Sequence, residues 1–360
     1  MRRLVLNRWV ADLYPGSFAL VMATGIVSIA CQLAGLEPVA WALFLVNQAT
    51  YVLLWVLTLA RLFGFFPRVL ADIADPSRGP GFLTTVAGTS VLGRQFSLLA
   101  RNDGVALGLA ALATLLWGLI IYSFLAGVIT QAEKPKPGRC VNGAWLLAVV
   151  ATQSVPLAWI GAAGPLLGPD EQAMFLMLAF HLVGYVLYLV IVTLITYQFV
   201  AFPLDPTLLT PPYWINMGAM AITALTGTVL VSLASHSGLL RLVLPFLEGL
   251  TILAWAVATW WIPLLVALFA WRHLVAKVGL NYDPQYWSMV FPLGMYSVCT
   301  FQLGQVTGVS LLYIISQAFA YIGLTAWAVL SLGLVRTAVA SLRSVPDWQE
   351  VGAAARPFRR

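Results

Sequence analysis

The chain has 360 residues, of which 61% are hydrophobic and only 9% are charged, whereas about 25% of an ordinary soluble domain is charged. This composition excludes a soluble globular protein, so the formal net charge of +6 indicates membrane topology rather than a nucleic-acid partner. The three cysteines are scattered and show no disulfide framework or metal-ligand spacing. We therefore expect no metal site and no cofactor.

Ten apolar stretches are each long enough for a membrane-spanning helix, which needs about 20 residues. The short loops between them, several rich in Pro and Gly, suit connectors rather than extra domains. The sequence predicts a cytoplasmic N-terminus at residues 1–13, one transmembrane domain at 14–334 and a cytoplasmic tail at 335–360. The predicted spans are 14–34, 39–59, 82–100, 105–128, 143–163, 175–199, 214–234, 247–269, 287–307 and 311–334.

The basic residues favour one orientation of these spans. When loops are assigned alternately to the two sides, all but three of the 19 Lys and Arg residues fall on the side of the termini. The exceptions are Arg94, Arg101 and Arg241. Because Lys and Arg accumulate on the cytoplasmic side, both termini are predicted to lie in the cytoplasm and the protein in the inner (cell) membrane.

The odd-numbered spans differ in composition from the even-numbered ones. They are richer in Gly, Ala, Ser and Thr, which allow close helix packing, whereas Leu, Val, Ile and aromatic residues dominate the even spans. Prolines mark the starts of spans one, three and seven (Pro15, Pro80, Pro211), and Pro156 and Pro292 lie inside spans five and nine. Prolines are also common at helix starts in general. Their repetition favours five helical hairpins around a central path lined by the odd helices.

No constellation of catalytic residues is visible. The three histidines are far apart, and the sequence has no Gly-rich phosphate loop and no Gly-x-Ser-x-Gly elbow. An enzyme is therefore not expected.

Three ionisable residues lie inside predicted spans, where a charge is costly and thus a candidate for function. Arg94 in span three could draw anions to an external mouth, with Glu248 in span eight positioning it or carrying a proton. Alternatively, Arg94 and Glu248 form an ion pair between helices. His181 in span six is either a hydrogen-bonded buried imidazole or a proton relay.

The remaining polar residues of the odd spans are neutral, and their hydroxyls and amides could donate to an anion without trapping it. The alternative for each is a local bond to the i−4 carbonyl. The nine predicted pore-lining residues are Thr24, Ser28, Thr85, Thr89, Thr152, Ser154, Thr223, Ser288 and Ser297. Other candidates among the neutral polar residues of the odd spans are Thr84, Ser90, Gln153, Asn216, Thr226 and Thr300.

Phe291 stands directly before Pro292 in a segment rich in aromatic residues. A ring at this disturbed part of a helix could plug a narrow path and move aside. On composition alone, such a phenylalanine more often packs or faces lipid.

Several short motifs occur in order along the chain: YPGSFA at 14–19, MATGIVS at 22–28, TTVAGT at 84–89, WWIP at 260–263 and WSMVFPLG at 287–294. Together they resemble the tellurite-resistance/dicarboxylate transporter family, which includes plant slow anion channels, fungal malate permeases and sulfite efflux pumps. The resemblance extends from Tyr14 to about Leu334.

The resemblance implies an all-α integral membrane fold of ten transmembrane helices, arranged as five hairpins with quasi-fivefold symmetry around a central pore. It also implies a homotrimer and a pore occluded by a phenylalanine on the ninth span, which matches Phe291. Tyr296 or Phe301 could take this role if the alignment shifts by a turn.

The predicted function is transport of C4-dicarboxylates such as malate, or of small inorganic anions such as chloride, nitrate, sulfite or tellurite. A channel-like mechanism is favoured because so few charges lie in the spans. The alternative is a proton-coupled carrier that uses His181 or Glu248. The alternative from another functional class is a membrane scaffold protein, which would have no continuous cavity.

Overall fold

A computed structural model describes residues 10–134, 141–167 and 170–343. Most of the two predicted cytoplasmic termini, residues 1–9 and the tail from 344, and Cys140 lie outside the described residues. Ten long helices run through the described chain, at positions close to the predicted spans. They are α1 (Ala19–Leu33), α2 (Glu37–Gly64), α3 (Leu83–Leu98), α4 (Asp103–Thr130), α5 (Leu147–Leu167), α6 (Glu171–Ala201), α7 (Ile215–Ser232), α8 (Leu244–Ala270), α9 (Trp287–Thr307) and α10 (Ser310–Arg343).

Within the described ranges, eight of these helices are long and apolar enough to cross a membrane. The two that do not meet this criterion are α3 and α9, which carry several polar residues each. Helix α10 runs to Arg343, beyond the predicted boundary at residue 334. The protein is an all-helical membrane protein.

Every odd-numbered helix is preceded by a short 3₁₀ turn. The five turns are Pro15–Phe18, Gly79–Phe82, Gly143–Leu146, Pro211–Trp214 and Pro284–Tyr286. Each turn contacts the next, and the last contacts the first, so the five helices begin at the same end of the bundle. Proline suits the first positions of such a turn because its φ is fixed and it lacks an N–H. Pro156 and Pro292 lie inside α5 and α9, as predicted, and the turns before those two helices begin at Gly143 and Pro284.

The odd-numbered helices form an inner ring. Helix α1 packs against α3, α3 against α5, α5 against α7, α7 against α9, and α9 against α1. Small residues permit these close contacts. A Cβ on Gly218 of α7, for example, would lie only 2.7 Å from Cγ of Pro292 in α9. Most residues of α1, α5 and α7 are buried, whereas the even-numbered helices are mostly exposed on the outside.

A short helix, Phe66–Ala74, links α2 to the second 3₁₀ turn and was not predicted. Its Asp72 accepts hydrogen bonds from Arg61 at 2.5 Å and from Arg78 at 2.8 Å and 3.0 Å. Burial alone would raise the pKa of Asp72, but the hydrogen bonds from Arg78 and Arg61 outweigh it and hold the pKa below its ordinary value. The carboxylate therefore ties the outer helix α2 to the start of α3.

We expect Asp72→Asn to lower stability by about 3 kcal/mol, because it removes the counter-charge of the buried Arg61. The matched control is Asp12→Asn, which breaks the exposed pair with Arg68 and should cost at most about 1 kcal/mol. Thermal unfolding in detergent measures both. The difference between wild type and Asp72→Asn should shrink as the pH falls through the lowered pKa of Asp72, where the carboxylate gains a proton. Equal melting temperatures for the two variants at neutral pH would contradict this account.

Candidate functional site

A cavity of about 220 Å³ lies between the inner helices, in their C-terminal halves. All five helices of the ring contribute to its wall: Ile26 from α1, Arg94 from α3, Ser154 from α5, Ile222 from α7 and Met295 from α9. The ring of helices thus encloses space at its centre, at the end opposite the 3₁₀ turns.

Arg94 is the charged residue of the cavity wall among the described residues. It forms no ion pair with any residue that the structure describes, and the carboxylate of Asp103 acts on it only through space. A guanidinium without an ion-pair partner among the described residues, in a largely apolar cavity, is unfavourable on its own and attracts an anion.

The position of Arg94 depends on close contact between α3 and α5. A Cβ on Gly161 would lie 3.0 Å from Cδ and 3.2 Å from Nη1 of Arg94. One turn nearer the end of α3, the Ser97 hydroxyl donates to the Gly161 carbonyl at 2.7 Å. The missing side chain at residue 161 therefore makes room for the arginine.

Two serines add hydroxyl groups to the wall near Arg94. Ser90 lies one helical turn before Arg94, and its buried Oγ has no hydrogen-bond partner within the described chain. Ser154 donates to the Ala151 carbonyl at 2.9 Å, which leaves its oxygen on the cavity wall. The free hydroxyl of Ser90 can donate to an anion held by Arg94.

Of the nine predicted pore-lining residues, Ser154 lies on this cavity wall. Three others accept hydrogen bonds from aromatic residues of an outer helix. The Trp327 indole reaches Thr24 at 2.9 Å, the Trp117 indole reaches Thr152 at 2.9 Å, and the Tyr51 hydroxyl lies 3.0 Å from that of Thr89. In each case an outer helix contacts the inner helix of the next hairpin. These threonines join the two layers and do not line the cavity.

The other predicted lining residues also lie away from the cavity. Ser28 donates to the Ala40 carbonyl at 2.7 Å, and Ser297 donates to the Ser316 carbonyl at 2.8 Å. Thr223 makes the local i−4 bond, to Ala219 at 2.7 Å. Thr85 lines a small separate cavity near Tyr14, and Ser288 is buried at the start of α9.

The two remaining ionisable candidates lie outside the cavity. His181 is buried, its Nδ1 lies 3.1 Å from Oε1 of Gln153, and the Gln153 amide donates to its carbonyl at 3.1 Å. Glu248 is exposed on α8. The alternative ion pair between Arg94 and Glu248 is not formed in the described chain, because Glu248 points outward from an outer helix.

Phe291 is completely buried and lies one turn before Met295 on α9. Because residues at i, i+4 and i+7 share a helix face, Phe291 continues the face that carries Met295 and Val298 on the cavity wall. Phe291 itself is not among the described residues that line the cavity, and it lies one turn nearer the 3₁₀ turns on this face. Tyr296 instead bonds Thr259 of α8 at 2.7 Å, and Phe301 packs on Tyr313 of α10.

The mostly apolar wall of the cavity was missed by the sequence interpretation, which searched for polar residues alone. Val91, Leu157, Leu225 and Met295 are examples. The sequence did contain a signal for the side of α3 that faces the cavity. Ser90 and Arg94 are four residues apart and therefore lie on one face of this helix.

The fold and the cavity define a helical membrane protein with a positively charged central cavity. Residues 12–335 match the model of the voltage-dependent anion channel family, SLAC1, and the chain belongs to this family. Membership of this family indicates anion transport.

Relatives of the chain carry matching descriptions. An uncharacterized membrane protein of Mycobacterium tuberculosis H37Rv is 34% identical over 169 residues, covering 47% of this chain and 85% of the relative. Two uncharacterized transporters of Methanocaldococcus jannaschii are 26% and 24% identical over 296 and 314 residues. These matches cover 80% and 84% of this chain and 82% and 88% of the two relatives.

Proposed function

We propose that the protein conducts small anions along the axis of the five inner helices and that Arg94 binds the anion on the way. The unpaired guanidinium in a cavity bounded by all five helices carries this proposal. A positive charge with no protein counter-ion lowers the energy of an anion in a region that otherwise disfavours any ion.

In this proposal α3 and α9 also cross the membrane, which gives ten spans in five hairpins with quasi-fivefold symmetry. Their polar residues are tolerated because both helices belong to the inner ring and are shielded from lipid by the outer helices. The described basic residues near the 3₁₀ turns, including Arg61, Arg68 and Arg78, support a cytoplasmic position for that end. The cavity then faces the outside.

Phe291 is the proposed gate. Its ring closes the cavity toward the 3₁₀ turns, and Pro292, packed against Gly218, disturbs the helix at this point. Displacement of the ring would open the path by admitting water.

Passive conduction is favoured over proton coupling because neither His181 nor Glu248 lies on the cavity wall. The test is flux into proteoliposomes of chloride, nitrate, malate, sulfite and tellurite, with and without a pH gradient. We expect anion flux down its own gradient without an imposed pH difference. Flux of cations instead of anions, or anion flux that requires the pH gradient, would contradict the proposal.

Gly161→Val should lower anion flux about 10-fold, because its side chain would displace Arg94 from the wall and weaken a charge-assisted contact. The matched control is Gly164→Val on the same helix, where an added Cβ meets no atom within 4 Å. Both variants are compared in proteoliposomes at equal protein content. Equal flux through the two variants would show that the Arg94 position does not matter.

A further inference from the structure

The described wall of the cavity offers an anion one positive charge, Arg94, and four neutral polar residues, Ser90, Ser154, Ser232 and Gln302. The rest of the wall is mostly hydrocarbon, from residues such as Leu157, Leu225 and Met295. The wall is thus well suited to one charged group and poorly suited to a second.

The single positive charge of Arg94 distinguishes between monocarboxylates and dicarboxylates. A single carboxylate can accept hydrogen bonds from the Arg94 guanidinium and the free Ser90 hydroxyl. The second carboxylate of a dicarboxylate would meet no second positive charge on the described wall, only neutral groups such as Ser154, Ser232 and Gln302 beside the apolar side chains. Burial of a charge without a counter-charge is strongly unfavourable. An alkyl chain in its place gains from burial against the same side chains. A cavity of about 220 Å³ has room for a short chain.

We infer that this cavity binds monovalent carboxylates with short alkyl chains in preference to C4-dicarboxylates, and this inference rests on the proposed anion path. It departs from the dicarboxylate substrates implied by the sequence resemblance. The discriminating features are the lone charge of Arg94 and the hydrocarbon of residues such as Leu157.

The test is competition with nitrate flux into proteoliposomes. Butyrate and succinate are a matched pair, because both have four carbons and differ by one carboxylate in place of a methyl group. The experiment is run at about pH 7.5, well above the pKa of a carboxyl, with protein-free liposomes to subtract leakage of butyric acid. Butyrate should inhibit at a concentration at least about 10-fold below that of succinate.

A series from formate to butyrate adds a second readout. Inhibition should strengthen about fourfold for each added methylene group, as expected for full burial of a CH₂ group. In Leu157→Asn this dependence on chain length should flatten, and in Arg94→Gln inhibition by butyrate should weaken, because the carboxylate loses its charged partner. Arg101→Gln, which removes an exposed arginine at the same end of α3, should keep both the dependence on chain length and the strength of butyrate inhibition.

The outcomes separate this inference from the proposed function. If nitrate flux is present but succinate inhibits as strongly as butyrate, or inhibition does not depend on chain length, the inference is overturned and the anion path stands. If nitrate is not transported at all, the proposed function itself is overturned.

Discussion

Arg94→Gln is expected to reduce anion flux about 10- to 100-fold, the effect of losing a charge-assisted hydrogen bond worth about 1.5 to 3 kcal/mol. Arg94 is the charged residue of the described cavity wall, and the C-terminal halves of the five surrounding helices carry partial negative charge. Without the guanidinium, an anion in the cavity would meet an apolar wall and unfavourable dipoles. Arg94→Lys keeps the charge but loses the planar pair of donors, so its flux should be intermediate. Anion flux is measured in proteoliposomes at matched protein density.

Stability separates this role from a structural one. Because Arg94 has no ion-pair partner among the described residues, its neutralisation removes an unpaired charge and should leave the melting temperature unchanged or higher. A structural arginine would behave in the opposite way. Arg101→Gln, at the exposed end of the same helix, is the control and should retain wild-type flux. Loss of flux together with a clear loss of stability in Arg94→Gln would contradict an anion-binding role.

Phe291→Ala is expected to raise anion conductance by about 10-fold or more, since it removes the ring that we propose as the gate at the inner end of the cavity. The side chain is fully buried, so the variant should also lose about 3 to 5 kcal/mol of stability. Conductance is therefore measured in planar bilayers or oocytes only for protein shown to be folded. The expected gain is in current per folded channel.

Phe301→Ala provides the control for this experiment. Phe301 lies on the same helix but packs edge-to-face on Tyr313, with ring centroids 5.5 Å apart. Its truncation should lower stability without raising conductance. A similar increase in conductance in both variants would show that loosening of α9, rather than opening of a gate, causes the larger current.

The ten long helices lie close to the predicted spans. Eight helices of the described chain are long and apolar enough to cross a membrane, a length that the thickness of a bilayer sets. The sequence did not predict the short helix Phe66–Ala74 or the five 3₁₀ turns. The short helix has a clear apolar face, but its nine residues are far fewer than the roughly 20 of a membrane span, the length by which helices were recognised. The inner and outer layers followed from the distribution of small residues, since these permit close packing.

The site was harder to predict than the fold. Arg94 stood out because a charge inside a span is costly. The hydrogen-bond partners of the threonines could not be predicted, because residues such as Trp327, which donates to Thr24, lie far away in the sequence. The sequence could not decide whether Arg94 and Glu248 form an ion pair. The two residues lie on different helices, and the direction of the Glu248 side chain depends on how those helices pack. The homotrimer, the cytoplasmic termini and the Phe291 gate stay predictions.

The central claim is that anions pass through the cavity lined by Arg94 and Ser154. Chemical modification at the cavity wall tests it most directly, using Ser154→Cys in a background in which Cys31, Cys140 and Cys299 are replaced. A negatively charged thiosulfonate reagent should block anion flux through this variant. The same reagent on Ser235→Cys, an exposed position at the same end of the bundle, should leave flux unchanged. Unaltered flux after complete labelling of Ser154→Cys would contradict the account.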